Sequence, residues 1–393
     1  MTATTDQLSM IEEARRYLVG GVNSPVRAFR HLGIDPLMVV RASGAEVEDV
    51  QGRRFLDFIS GWGALLLGHN SPAVVDALRR GLEAGVLFGL THPAEVELAR
   101  LIAEAVPSVE QVRFTASGTE ACLTAVRLAL AATGRRRVLA FDGCYHGHAA
   151  LAPDVIRVPY NDPAAVEAAM ARHGPELACA IVEPVAANMG VVPPAPGFLA
   201  GLREAATRHG VLLIFDEVVT GFRLGPGGAQ AAFGVTPDLT VLGKIIGGGL
   251  PIGALGGPRQ LLQRLAPEGD VYHAGTFAGH PLSMAAGVAV LRELAAHPPY
   301  ERLERLSARL ADGLLREARA HGVALQVDRA GSMLTACFTP RERFAHWARH
   351  LLNEGVLVPP SPFEALFLSA AHTDEQIERL VRASGAAFQA MGR

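Results

Sequence analysis

The chain has 393 residues, a formal net charge of −3 and 19% charged residues, without the basic excess that nucleic-acid binding uses. Hydrophobic residues make up 49% and there are 42 glycines, which indicates a closely packed α/β core with two lobes or one large domain carrying a small one. No apolar run is long enough to span a bilayer, and Met1 to Leu18 carries Asp6, Glu12, Glu13, Arg15 and Arg16 in place of an apolar signal core.

In chain order, residues 8–19 have the spacing of a short amphipathic helix leading into the turn-rich Gly20-Gly21-Val22-Asn23-Ser24-Pro25. Extended segments follow at Leu37 to Arg41, Glu46 to Val50 and Phe55 to Ile59, with Gly44 and Gly52 at the turns. From about 74 onward, helical stretches near 72–85, 94–106, 119–133, 163–173 and 197–209 alternate with short apolar runs. Those runs, Val112 to Thr115, Val138 to Phe141, Cys179 to Val182, Leu212 to Phe215 and Leu239 to Leu242, suit a parallel sheet covered by helices on both faces. After about 284 come a long helical region, strands near 323–327, 332–338 and 364–369, and helices near 341–354 and 373–390. The expected plan is an N-terminal arm and part of a small lobe over 1–60, a large α/β domain over 61–285, and an α+β lobe over 286–393. The four cysteines, Cys122, Cys144, Cys179 and Cys337, lie far apart without metal spacing, which points to a reduced, cytoplasmic setting.

The most informative single residue is Lys244, the only lysine among 36 Lys and Arg residues. A guanidinium replaces an ammonium in solubility and ion pairing, but it does not act as a nucleophilic amine. A chain that retains one ε-amine therefore retains it where amine chemistry is expected, most often a Schiff base with a carbonyl. Lys244 follows one apolar run and precedes Ile245-Ile246-Gly247-Gly248-Gly249.

Ligands of such sheets collect at the carboxyl ends of the strands, and three other runs end in chemically suggestive groups. One continues into Ala116-Ser117-Gly118-Thr119-Glu120 and a helix, whose N-terminus either holds a phosphate or is merely capped. A second ends in Asp142-Gly143-Cys144-Tyr145-His146-Gly147-His148, where Tyr145 can stack on a flat heteroaromatic ring. A metal site would need a His/His/carboxylate set that nothing nearby completes convincingly, so no metal is expected, and Cys144 suits a packing position. The third delivers Asp216-Glu217, a carboxylate that would be costly to bury unless it meets a cation, either an arginine such as Arg223 or a protonated pyridine nitrogen. A phosphate cradle, a stacking ring, a buried carboxylate and a unique lysine together specify pyridoxal 5′-phosphate.

With these motifs the chain resembles the class III (subgroup II) aminotransferases of fold type I, from Gly20 to the C-terminal helix, and within them the glutamate-1-semialdehyde aminomutase branch. The resemblance implies a homodimer and a cofactor alternating between its pyridoxal and pyridoxamine phosphate forms. It also implies that Lys244 forms the Schiff base, Asp216 pairs with the pyridine nitrogen, and Ser117, Gly118 and Thr119 hold the phosphate. Tyr145 would pack on the ring, Glu183-Pro184-Val185 and Asn188 would lie near its hydroxyl edge, and Thr276 would reach a neighbouring subunit's phosphate. The arm Gly20 to Phe29 resembles the branch's substrate arm, with Ser24 and Arg27 facing a carboxylate that the Arg fork binds in bidentate fashion. Ser60-Gly61-Trp62-Gly63 is similar to a pocket wall, His146 is expected near the substrate, and Pro359 to Ser369 resembles a C-terminal signature whose Glu364 faces the active site. Together these imply conversion of glutamate 1-semialdehyde to 5-aminolevulinate, a tetrapyrrole precursor.

The chain also departs from that pattern. Between His148 and Tyr160-Asn161-Asp162 the branch carries a long loop that closes the site, whereas here only Ala149 to Pro159 intervene. Leu90-Thr91-His92-Pro93-Ala94-Glu95 is worded as in ordinary class III transaminases, His280 stands where asparagine is common, and the stretch before Phe344 is short. These departures favour the alternative, a two-substrate transaminase for an ω- or β-amino acid with a keto-acid acceptor.

Overall fold

A computed structural model describes residues 7–392 as two compact units, one formed by both chain ends through Ser71 and from Glu301, the other by Pro72–Tyr300. Residues 1–6, part of the start in which no signal core is expected, and Arg393 lie outside the described residues.

The smaller unit opens with the helix Gln7–Tyr17 and three antiparallel strands, β1 (Val39–Ser43), β2 (Glu46–Asp49) and β3 (Arg54–Asp57). In the larger unit, β4 (Gln111–Thr115), β5 (Arg137–Phe141), β6 (Asp154–Val158), β7 (Leu177–Val182), β8 (Leu212–Asp216), β9 (Leu239–Gly243) and β10 (Gly253–Gly257) form one sheet in the order β4-β10-β9-β8-β7-β5-β6. Only β10 runs against its neighbours. Alternation along the strands builds a core on each face. Leu139, Phe141, Ala180, Val182, Leu213 and Phe215 pack towards the helices Pro163–His173 and Phe198–His209. Val138, Ala140, Cys179, Ile181, Ile214 and Val241 pack towards Gly118–Thr133. Each large aliphatic or aromatic side chain so buried contributes about 1.5–3 kcal/mol, which is why these strands contain almost no polar residue before their last position.

The chain then returns to the smaller unit with the helix Tyr300–Ala320, the strands β11 (Ala324–Ala330) and β12 (Met333–Thr339), and the helix Arg343–Asn353. The strands β13 (Val356–Leu357) and β14 (Leu366–Phe367) and the helix Asp374–Met391 complete it. The strand β13 pairs in parallel with β3, Val356 opposite Leu56, so the two chain ends share one sheet. Trp347 is fully buried and donates from its indole Nε1 to Ser384 Oγ at 2.9 Å, joining the last two helices.

The expected alternation of helix and strand is present, with differences. The units divide at 71 and 300 where the sequence suggests 60 and 285, because the helix Pro281–Ala296 packs on the helices Pro72–Ala84 and Pro93–Ala105 of the larger unit. The Gly-rich β10 carries no strand signal by composition, and the edge strand β6, Asp154-Val155-Ile156-Arg157-Val158, adds a further strand to those expected. In β10 glycine is required: a Cβ on Gly253 would collide with the Ser117 carbonyl oxygen.

In the smaller unit, His372 is completely buried against Phe58, and its Nδ1 accepts from the Ser369 amide at 3.0 Å. Burial pushes its pKa down to about 4. A depressed base stabilises the fold above the unfolded-state value near 6.5 and loses that contribution as pH falls through about 4. Between those limits the loss is roughly 3 kcal/mol. His372→Asn keeps an acceptor for Ser369 without a titrating ring, so denaturant unfolding of this variant should fall less steeply between pH 6.5 and 4. Parallel profiles for the two proteins would contradict this assignment.

Candidate active site

The strand register sets the site. Gly253 of β10 pairs with Thr115 of β4 on one side and with Gly243 of β9 on the other, so the turn after β4 and Lys244 lie at the same edge of the sheet. Asp216 pairs with Val241, three residues before Lys244, and Phe215 pairs with Val182, which places Glu183 beside Asp216.

Lys244 opens a short 3-10 turn with a positive φ of 47°, a conformation a side chain adopts at a cost of about 1–3 kcal/mol. Strain of this kind persists where the surroundings impose it, and here Gly243 and the buried Ile245 and Ile246 flank the lysine.

Asp216 is only 4% exposed. Its Oδ2 accepts from His146 Nδ1 at 2.7 Å and from Cys122 Sγ at 3.3 Å, while Oδ1 accepts from the Val218 amide at 3.1 Å. Facing a carboxylate, the imidazole carries a proton on Nδ1, and its buried Nε2 has no hydrogen-bond partner among the described residues. Burial and then the charge of Asp216 push the Cys122 thiol well up, so it is a proton donor and not a thiolate. Cys122, His146 and Asp216 gather within 4.8 Å because both neighbours donate to the same carboxylate.

The segment Ser117–Thr119 starts the helix Gly118–Thr133, with Ser117 as N-cap accepting from the Glu120 amide at 3.3 Å. Glu120 reciprocates by accepting from the Ala116 amide at 3.0 Å. Gly147, with φ +100°, lets the loop after β5 pass close over this turn; a Cβ there would lie 2.5 Å from Thr119 Oγ1. Tyr145 on the same loop is 53% exposed, as a stacking ring must be before its ligand arrives. Glu183 is buried and accepts from the Tyr145 amide at 2.6 Å, the Ala187 amide at 3.0 Å and Asn188 Nδ2 at 3.0 Å. Burial, then the neighbouring charge of Asp216, pushes its pKa up to about 7. Thr276 lies exposed in the turn before Gly279.

In the smaller unit, Ser60, Gly61, Trp62 and Gly63 all have positive φ, a left-handed run fastened where the Ile59 and Ser60 amides donate to Asp57. Ser60 Oγ donates to the Phe367 carbonyl at 3.2 Å, and Gly63 leaves no room for a Cβ against the Phe367 ring. Phe363, beside Glu364, meets His31 edge-on at 6.2 Å between ring centroids. Arg27 is exposed in the turn Pro25–Ala28, and its amide donates to the Ser24 carbonyl at 3.0 Å. The arm, the Trp62 wall and the Phe363 segment thus belong to one unit.

A family model described as Aminotransferase class-III matches residues 30–383. The chain belongs to the class-III aminotransferases. Among class-III relatives, a glutamate-1-semialdehyde 2,1-aminomutase of Thermomicrobium roseum is 51% identical, the match covering 98% of each chain. That match runs over 423 residues against 393 here, so at least 30 positions lack a counterpart in this chain. A β-phenylalanine aminotransferase from Variovorax paradoxus superposes with a TM-score of 0.89 at 37% identity, over 96% of this chain and 92% of its own. A glutamate-1-semialdehyde aminomutase variant from Pseudomonas aeruginosa PAO1 in complex with PMP gives 0.86 at 29% identity, over 97% and 93%.

Against the class-III expectations, the larger unit brings Lys244, Asp216, Ser117, Gly118, Thr119, Tyr145, Glu183 and Asn188 to the carboxyl end of one sheet. His146 corrects the expectation that it faces substrate: it is 5% exposed and turned onto Asp216, because Gly143 and Gly147 with positive φ reverse the loop around it. Cys122, one helical turn after Gly118 on the buried face of Gly118–Thr133, joins the site through its contact with Asp216, a role that its position in the sequence does not signal. After His148, residues 149–153 lead directly into β6, a short path in keeping with the missing loop.

Removing the hydroxyl tests the cap. Ser117→Ala should cost the ligand-free protein about 1 kcal/mol in denaturant unfolding, the usual worth of an N-cap. An unchanged midpoint would contradict the capping role.

Proposed function

We propose that this chain is a pyridoxal 5′-phosphate enzyme that moves an amino group within one substrate, converting glutamate 1-semialdehyde to 5-aminolevulinate. The observation that carries it is the placement of the sole lysine at the same sheet edge as a phosphate-type turn and a buried carboxylate, in a chain 51% identical to an aminomutase over its length. The residues fit the cofactor. Asp216 is a buried carboxylate held by hydrogen-bond donors from a helix, a loop and the backbone, the setting that holds a protonated pyridine nitrogen.

When bound, the cofactor supplies a carbonyl for amine exchange and a ring that takes up electrons from the carbon losing its proton. Asp216, held by His146, Cys122 and the Val218 amide, keeps a negative charge against the ring nitrogen. The amides at the start of Gly118–Thr133 receive the phosphate. Lys244 holds the cofactor between turnovers and carries the proton from one carbon to the next as general acid and base. Tyr145 and Asn188 keep the ring in place, and Arg27 and Ser24 are the candidates for reading the substrate carboxylate. The amine enters at the aldehyde carbon to give 4,5-diaminovalerate and leaves from the neighbouring carbon, so no second substrate is consumed.

The enzyme acts as a homodimer in the cytoplasm. Leu82, Val86, Leu87, Phe88 and Leu90 expose a run of apolar side chains of the kind that an oligomer interface covers, and Thr276 is exposed. All four cysteines are unpaired thiols, and no described helix is long and apolar enough to cross a membrane.

A second reading has its own support. The short path through 149–153 leaves little chain to close over the site, and 4,5-diaminovalerate must be retained between the two halves of the mutase reaction. Together with the likeness to the β-phenylalanine aminotransferase, this favours a two-substrate transaminase for a β- or ω-amino acid. Incubating pyridoxamine phosphate-loaded enzyme with glutamate 1-semialdehyde alone separates the two. Repeated turnover to 5-aminolevulinate without an amine donor is expected. A single turnover, continued only on adding a donor and a keto acid, would replace the mutase with the transaminase.

A further inference from the structure

We infer that Glu183 is a positioning residue: its one buried carboxylate clamps the loop bearing Tyr145 to the segment bearing Asn188, and so fixes the groups at the face and at the hydroxyl edge of the ring that binds there. The inference rests on the cofactor reading above. It differs from the contact first expected of Glu183, because both carboxylate oxygens already face protein donors.

Glu183 is 2% exposed at the end of β7. Oε1 accepts from the Tyr145 amide, 38 residues away in sequence, and Oε2 accepts from the Ala187 amide and from Asn188 Nδ2. Two of these three donors are backbone groups and cannot turn away without moving the chain. A carboxylate provides two acceptor oxygens for them, whereas an amide provides one acceptor and one competing donor. Donating one Nδ2 hydrogen to Glu183 also fixes which way the Asn188 amide points, leaving its Oδ1 and second hydrogen for the ring's hydroxyl edge. At Tyr145 the restraint acts on the backbone: its amide donates to Glu183 Oε1 at 2.6 Å, which ties the chain at that residue to the end of β7.

Glu183→Gln tests this by hydrogen exchange on the full-length protein and by titration with pyridoxal 5′-phosphate. In the ligand-free protein, amide exchange in peptides covering 143–148 and 185–189 should both accelerate, while the β7–β8 region exchanges as before. The dissociation constant for pyridoxal 5′-phosphate should rise about tenfold, the worth of one buried charge-assisted hydrogen bond. Borohydride should still trap the cofactor on Lys244. Glu183→Asp, which keeps the charge and shortens the reach, should release one of the two segments and keep the other slow, and it stands in if the Gln variant does not fold. Unchanged exchange in both segments, or unchanged affinity with accelerated exchange, would overturn the inference. The exchange measurement needs no cofactor: a wild type that takes up none sinks the functional reading, and the clamp is then judged on exchange alone.

Discussion

Burying a carboxylate at the end of an apolar strand carries a desolvation cost that must be met by donors or by positive charge. Asp216 is that carboxylate. Its last strand neighbours, Ile214 and Phe215, are fully buried in the two cores of the sheet, so its position is set by packing and not by its own chemistry. Cys122 and His146 are then drawn from a helix and a loop far apart in sequence to satisfy one oxygen, which ties the helix Gly118–Thr133 and the loop after β5 to the same point. The remaining capacity faces the edge where Lys244 and the Ser117 turn meet. An electron-withdrawing ring needs such a charge held still against its nitrogen, and a carboxylate held by three donors has little freedom to move.

Glu183 extends the same logic one strand further. Burial, and then the charge of Asp216 on the adjacent strand end, raises the cost of ionising Glu183, and the strand register makes the two neighbours. The structure answers with convergent N–H groups from two loops, and those loops carry the groups proposed to touch the ring's face and its hydroxyl edge. Electrostatic cost and loop placement are therefore one arrangement.

Much of the fold was legible in the sequence because two-sided burial leaves continuous apolar runs, and β5, β7, β8 and β9 fall where those runs are. The strand β10 was not, since Gly253-Ala254-Leu255-Gly256-Gly257 contains the residues least favoured in strands and is there because side chains would not fit. The roles foreseen for Lys244, Asp216 and the Ser117 turn came from residue chemistry at strand ends, which alternation of helix and strand places on one side. The direction of His146 was hidden. Tyr145 and His146 are sequence neighbours that point oppositely, one exposed and one buried, and only the two positive-φ glycines around them decide which. Convergence across 94 residues, as between Cys122 and Asp216, has no local signature at all. In the smaller unit the left-handed run through Trp62 was equally invisible, because Ser60 and Trp62 are not residues that announce positive φ.

The central claim is that Lys244 is the amine that holds the cofactor, and the composition makes its test unusually clean. Apart from the chain's own α-amino group, no other primary amine exists in the molecule. Protein incubated with pyridoxal 5′-phosphate, reduced with borohydride and digested should yield one modified peptide, that spanning Gly243-Lys244-Ile245. Recovery of the cofactor on the N-terminal peptide, or of an unmodified Lys244 peptide from enzyme that still turns over, would contradict the account.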